Sequence, residues 1–256
     1  MKIHSFKYGI SVREAEGLHD FLKFISETLA YRHFIWRGQR DSSWGLEPTL
    51  DRTLKELKKL GDVRTINDHL DRFRFTVQGK RGPNPKTLED ENEWWALGQH
   101  HGLKTPLLDW TKSPFVALFF AFESAKPSST GKRTIYGISK TSLKWKSDAI
   151  KKTFEGKTRP PIIEFVETFA DDNPELVNQG GLFSRSPSGL DIEEWIKKNF
   201  DKNDKNVKMW KILFNDSERV EVLRYLNRMN VNHLSLFPDL YGSSKFVNFD
   251  LEINKY

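Results

Sequence analysis

Cysteine is absent from the sequence, which excludes disulfide bridges and thiolate metal sites and fits a reducing compartment such as the cytoplasm. No apolar run reaches membrane-spanning length, and Met1-Lys2-Ile3-His4-Ser5 leads into no signal-peptide core. A cytoplasmic protein is therefore expected. Internal repeats are lacking as well. So is a phosphate-binding glycine loop: the clearest glycine cluster, 79–85 (GKRGPNP), contains prolines and follows no strand, so it reads as a surface loop. Ser113 has no Gly-x-Ser-x-Gly elbow around it, which argues against a serine-hydrolase nucleophile. Apolar residues are also scarce, at 37% against 30% charged.

Aromatics offset that scarcity. The 256 residues include 19 Phe and 8 Trp, whose large buried areas can build a core from few side chains. Length suits one large domain or two small ones. The formal net charge is +6, a mild basic excess that suits nucleic acid, nucleotides or an acidic partner and equally suits a dispersed Lys/Glu surface.

The chain is organised around residues 94–122, WWALGQHHGLKTPLLDWTKSPFVALFFAF. A polar segment, Gly98 to Gly102, separates an aromatic pair from a short strand ending at Asp109-Trp110-Thr111. Ser113 before Pro114 is a helix start, since the hydroxyl caps free N–H groups and proline fits the first helical position. Phe115 to Phe122 carries no polar side chain, so this helix is expected to be buried on all sides. Polar groups at the mouth of a buried helix suggest a pocket floor, although helix caps serve stability alone in many proteins.

Elsewhere, spacing predicts a helix within 5–31, with Leu18, Phe21, Leu22, Ile25 and Leu29 inward and Ser11 to Glu14 as a capping box. A strand at His33 to Trp36 is expected to stop at Arg37-Gly38-Gln39. An extended loop over 42–50 and helices at 54–60 and 66–77 follow. Further strands are expected at 134–138, 162–166, 182–183 and 207–214, and helices from Asp191 and over 217–229, the latter with Val222, Tyr225, Leu226 and Met229 inward. Phe249 to Ile253 alternates like a strand with one wet face. The resulting expectation is α+β: one compact domain over 1–256, a mixed or antiparallel sheet with a buried central helix, and helices grouped toward the N-terminal half.

Three constellations carry chemistry. Arg37-Gly38-Gln39 offers a planar guanidinium suited to phosphate or carboxylate, beside a glycine that lets a ligand approach the backbone. The bland alternative is a salt bridge at a strand end. His100 and His101 with Asp109 invite a metal reading, but neighbouring histidines on a strand point apart and no other histidine cluster completes a ligand set, so no metal is expected. Asp109 is read as orienting His101 or, more simply, capping the buried helix.

Taken together, several motifs resemble the FRG domain, named for an aromatic-Arg-Gly triplet after a strand. They are Phe34-Ile35-Trp36-Arg37-Gly38-Gln39, Gly98 to Leu103 with Leu107 to Thr111, Asn178 to Phe183, and Leu236 to Leu240. The resemblance spans Leu18 to Val247. Trp36 replaces the usual Phe, Pro106 stands where arginine is common, and Tyr241 where an acid is usual, departures expected to weaken one ion pair together. The resemblance implies a bacterial protein of phage defence or toxin action. The motif order is also similar, more weakly, to the ADP-ribosyltransferase fold, with Arg37-Gly38, then Thr111 to Pro114, then Gln179 in sequence.

That second likeness implies NAD as the ligand. Arg37 would hold pyrophosphate or ribose, with Thr111 and Ser113 on the nicotinamide ribose. Trp36 or Trp110 would stack, and Gly38, Gln39, Gln99, His101 and Asp109 would line the site. Gln179, Glu164 and Asp239 compete for the place beside the ribose hydroxyl. Two rivals stay open: a non-catalytic module recognising nucleic acid or a protein, and a nuclease using Asp109, Asp239 and Lys112.

Overall fold

The computed structural model describes residues 1–27, 33–85, 87–167, 174–254 and 256. An eight-stranded mixed sheet forms its frame. The strands are β1 (Lys2–Lys7), β2 (Ile10–Glu14), β3 (Phe34–Gln39), β4 (Leu107–Thr111), β5 (Lys132–Ser139), β6 (Glu164–Val166), β7 (Gly181–Arg185) and β8 (Met209–Asn215). Their spatial order is β1-β2-β8-β5-β3-β4-β7-β6. Only β2 and β8 run parallel; the other neighbours are antiparallel.

Around it pack α1 (Leu18–Glu27), α2 (Thr49–Glu56), α3 (Val63–Thr76), α4 (Glu91–His100), α5 (Pro114–Phe122) and α6 (Lys140–Thr153). The later helices are α7 (Pro174–Asn178), α8 (Ile192–Asn199), α9 (Arg219–Arg228), α10 (His233–Leu236) and α11 (Leu240–Glu252). Period-two alternation sorts the strand residues between two cores. Trp36 and Ile135 face α1, α5 and α9 on one side. Ile35, Tyr136 and Ile138 face α6 and α8 on the other. A third cluster, with Leu54, Leu70 and Trp95, closes the β4–β7–β6 end.

The central helix behaves as its sequence requires. Ser113 Oγ accepts the Val116 N–H at 3.3 Å, Pro114 occupies the first turn, and Ala117, Leu118, Phe119, Ala121 and Phe122 have no exposed surface. Its C-terminal carbonyls are met by arginines, which suits the negative end of a helix. Arg133 Nη1 donates to Ala121 O at 2.9 Å, and Arg219 Nε and Nη2 donate to Phe122 O and Glu123 O, both at 3.0 Å.

Several expectations are corrected. Residues 5–14 are not helical: β1 and β2 form a hairpin around Tyr8 and Gly9, both at positive φ (58° and 74°), so Ser11 and Glu14 pair along a strand and cap nothing. Leu29 lies outside the described residues. β3 runs on through Arg37-Gly38-Gln39 because β5 pairs with it as far as Gln39–Thr134. The Gly98–His100 segment is the last turn of α4, nucleated by a capping box between Asp90 and Glu93. α2 begins at Thr49, inside the expected loop, and buries Leu54 while Leu57 and Leu60 stay exposed.

Phe249 to Glu252 is helical, not extended, and Ile253 caps the helix. Phe249 and Ile253 lie one turn apart and are 5% and 1% exposed, whereas Leu251 between them is 85% exposed. Alternation over five residues could not separate that face from a strand. α9 buries Val222 and Leu226 but leaves Tyr225 and Met229 at the surface. Helices occupy both halves of the chain, with α6 unforeseen because Leu143 and Ile150 are its few inward apolar residues. Among the described residues no helix is long and apolar enough to cross a membrane.

Candidate functional site

β3 and β4 pair at one position, Trp36 with Thr111, while β4 pairs with β7 along its whole length. Beside this single rung lies a cleft of about 420 Å³, within the usual range for small-molecule sites. Trp36, Arg37 and Gly38 line it from β3; Asp109, Trp110 and Thr111 from β4; Gln99 and His100 from the end of α4. Ala117 and Phe120 of α5, Glu175 and Leu176 of α7, and Gln179, Phe183 and Phe237 complete the wall.

Arg37 spans the gap between the two strands. Its Nη1 donates to the Asp109 carbonyl at 2.8 Å and lies 3.6 Å from the Asp109 carboxylate. Nε is buried without an acceptor, and Nη2 has no partner among the described residues. Burial pushes the guanidinium pKa below its ordinary value, an effect opposed by Asp109, and the group remains a cation. Behind Asp109 runs a relay of hydrogen bonds. Gln99 Nε2 donates to Asp109 Oδ1 at 2.9 Å, and the buried Thr105 hydroxyl donates to Gln99 Oε1, which fixes the amide orientation.

The single rung also explains two small residues. A Cβ on Gly38 would stand 1.9 Å from Ala117 O and 2.5 Å from Ala121 N, so this glycine admits the α5 backbone. Gly137, opposite Trp36, leaves room for the indole, since a Cβ there would meet Trp36 Cζ3 at 2.6 Å. The sequence offers Gly38 as a point of ligand approach, but close helix packing is what requires it.

Arg37, Trp36, Gly38, Gln99, Asp109, Trp110, Thr111 and Gln179 are therefore brought together. Their roles differ from expectation in several cases. Trp36 and Trp110 are 0% and 3% exposed, and Trp110 Nε1 donates to Ser184 Oγ at 2.7 Å, so neither offers a face for stacking. The Thr111 hydroxyl is committed, donating to Gln179 O at 2.5 Å and accepting the Ser113 N–H at 3.0 Å. Gln179 Nε2 donates to Leu236 O at 3.3 Å.

Ser113, Asp239, Gln39, His101 and Glu164 do not line the cleft. Ser113 and Asp239 are helix caps, the latter accepting the Gly242 N–H at 2.8 Å. Gln39 is buried and donates to Gly45 O. His101 caps α4 at the surface, and Asp109 contacts Gln99 and Arg37 in its place. Glu164 bonds Asn92 and Arg159 in a separate cluster. Pro106 is buried just before β4, and Tyr241 is exposed with its ring edge on Phe237.

Glu175, Phe120 and Phe237 reach the cleft unannounced. Phe120 is a half-buried member of an apolar run, and Phe237 sits two residues before Asp239, one of the three candidates for the place beside the ribose hydroxyl. Glu175 lies four residues before Gln179, one turn of helix away, and its backbone carbonyl accepts the Gln179 N–H at 2.9 Å. That helical offset was the available signal.

A family model for the FRG domain matches residues 32–130. The chain carries an FRG domain. The matched span contains β3, α2 to α4, β4 and α5, and with them Arg37, Gln99, Asp109 and Thr111, whereas the Gln179 and Phe237 walls lie beyond it. No curated protein and no solved structure matched the chain.

Proposed function

We propose that this FRG-domain protein binds a nucleotide in the β3–β4 cleft, NAD being the candidate, and acts on it as an ADP-ribosyltransferase-like enzyme. The observation that carries the reading is Arg37: a cation held at the cleft by one nitrogen, with Nε and Nη2 left without protein acceptors. Those uncommitted donors suit phosphate oxygens. The half-buried rings of Phe120 and Phe237 supply an apolar wall for a flat heterocycle.

Breaking the nicotinamide–ribose bond develops positive charge on the ribose, as in glycoside cleavage. In this reading the Glu175 carboxylate takes the place for which Gln179, Glu164 and Asp239 were considered. It is a lining acid able to face that charge or accept a ribose hydroxyl proton. Gln179 then orients the ribose, while Thr111 and Ser113 keep the floor rigid. Asp109 positions Arg37 through its carbonyl, backed by Gln99. Following the family resemblance, the activity belongs to bacterial defence or toxin action.

The test is incubation with NAD, following nicotinamide release and the protein's thermal shift. Turnover lost in Arg37→Ala and in Glu175→Gln, with folding intact, is the expected result. No turnover together with no thermal shift from NAD or ADP-ribose would remove the reading. A nuclease has less support, because Asp239 caps α11 away from the cleft and Lys112 lies 3.9 Å from Glu167.

A further inference from the structure

Away from the cleft, α6 and the segment after it, with the last turn of α8 and the segment that follows, form one strongly basic face. Residues 140–159 and 197–208 hold twelve Lys/Arg against four Asp/Glu, a net +8 that exceeds the +6 of the entire chain. The two segments are joined in space. Leu143 and Ile150 of α6 share a core with Trp195, Ile196 and Phe200, and both Lys146 Nζ (5.9 Å) and Lys208 Nζ (5.2 Å) lie against the Phe200 ring. Acids of α8 sit in its first turn, where Glu193 is paired with Lys197 and Lys211; its last turn is basic.

The charges on this face are available. Lys151, Lys152, Lys157, Lys198, Lys202 and Lys205 are exposed and have no ion-pair partner among the described residues. Among them stands Trp145, 68% exposed on α6 and flanked by Lys144 and Lys146. A tryptophan left in water on a helix whose apolar side is already buried contributes nothing to the core.

We propose that this face binds a single-stranded polynucleotide, with the lysines along the phosphates and a base stacked on Trp145. Lysines spread over two helices and a loop fit a long, regularly charged polyanion, and one exposed ring among them fits base stacking. A folded protein partner is a poorer match, because lysine is depleted at the centre of protein interfaces. A bilayer is poorer still. Membrane-surface helices turn a continuous apolar stripe to the lipid, whereas the apolar side of α6 is spent on the core. The surface is separate from the cleft residues, so this assignment stands or falls independently of the nucleotide reading.

Fluorescence anisotropy of labelled oligothymidylate and oligouridylate with the full chain tests it. Affinity should fall steeply between ~50 and ~200 mM salt. The variant Lys151→Glu/Lys152→Glu/Lys198→Glu/Lys202→Glu should weaken binding by at least about tenfold, and Trp145→Ala by about tenfold for single strands but not for duplex. Equal charge reversal elsewhere, Lys55→Glu/Lys58→Glu/Lys59→Glu/Arg64→Glu, should leave affinity nearly unchanged. Absence of binding at the lower salt overturns the proposal. So does equal loss in both charge-reversed variants, an indifferent Trp145→Ala, or binding to phosphatidylserine vesicles in place of oligonucleotides.

Discussion

Arg133 and Arg37 stand on neighbouring strands of one sheet and meet opposite fates. Arg133, 1% exposed, pairs through Nε with Asp216, and its Nη groups donate to the carbonyls of Ala121, Ser124 and Lys126. Every nitrogen is used. Arg37 is held by Nη1 alone, through Asp109, and its other nitrogens find no protein acceptor. A buried cation must be compensated or it destabilises the fold. Arg133 is compensated by the protein; Arg37 is left partly open beside a cleft, which is what a ligand-binding arginine requires.

The comparison is sharpest in stability. Arg133→Met should cost about 3–5 kcal/mol, the range for breaking a buried pair, because Asp216 and the last carbonyls of α5 lose their donor together. Chemical denaturation would measure it. Gly38→Ala should follow at about 1–3 kcal/mol or more, since α5 must retreat from a new methyl that would overlap Ala117 O. Arg37→Met should change stability by only about 1 kcal/mol, the loss of one bond to a carbonyl, while abolishing the thermal shift with NAD. If Arg37→Met proves as destabilising as Arg133→Met, Arg37 is structural and the contrast fails.

How far the sequence carried this distinction depends on range. Ser113-Pro114 and the apolar run to Phe122 announced α5 because cap and helix are local. The joint motifs also grouped Arg37, Gln99, Asp109, Thr111 and Gln179, and all five line the cleft. Local chemistry could not tell which polar groups were already spent. Thr111 looked free until Gln179 O and the Ser113 N–H were found on its hydroxyl. Trp36 and Trp110 looked like stacking platforms until their burial was known. Ser113 read equally well as a cap or as a site residue, and Asp239 read only as a site residue although it caps α11; long-range placement decides both. Glu175 was hidden for the same reason: it reaches the cleft from an element remote in sequence from β3.

A third arginine sharpens the comparison under acid, with the smallest effect. Arg185 Nη1 lies 3.0 Å from Glu91, whose carboxylate also accepts the Trp95 indole N–H at 2.9 Å. Burial raises the Glu91 pKa, but the Trp95 hydrogen bond and the Arg185 charge outweigh it, and the group titrates below its ordinary 4.5. A carboxylate with a depressed folded pKa contributes stability that is complete above the unfolded value and is lost as pH falls through the folded one. The protein should therefore lose stability below about pH 4.5, and Glu91→Gln should lose less over that window while being less stable near neutrality. Denaturation midpoints at pH 7 and pH 3.5 measure both. An unchanged acid slope in Glu91→Gln would mean that Arg185 keeps its compensation from Asn92 alone, whose Oδ1 accepts from the same Nη1 at 3.0 Å. Arg185 would then resemble the Nη groups of Arg133, which are satisfied by uncharged oxygen.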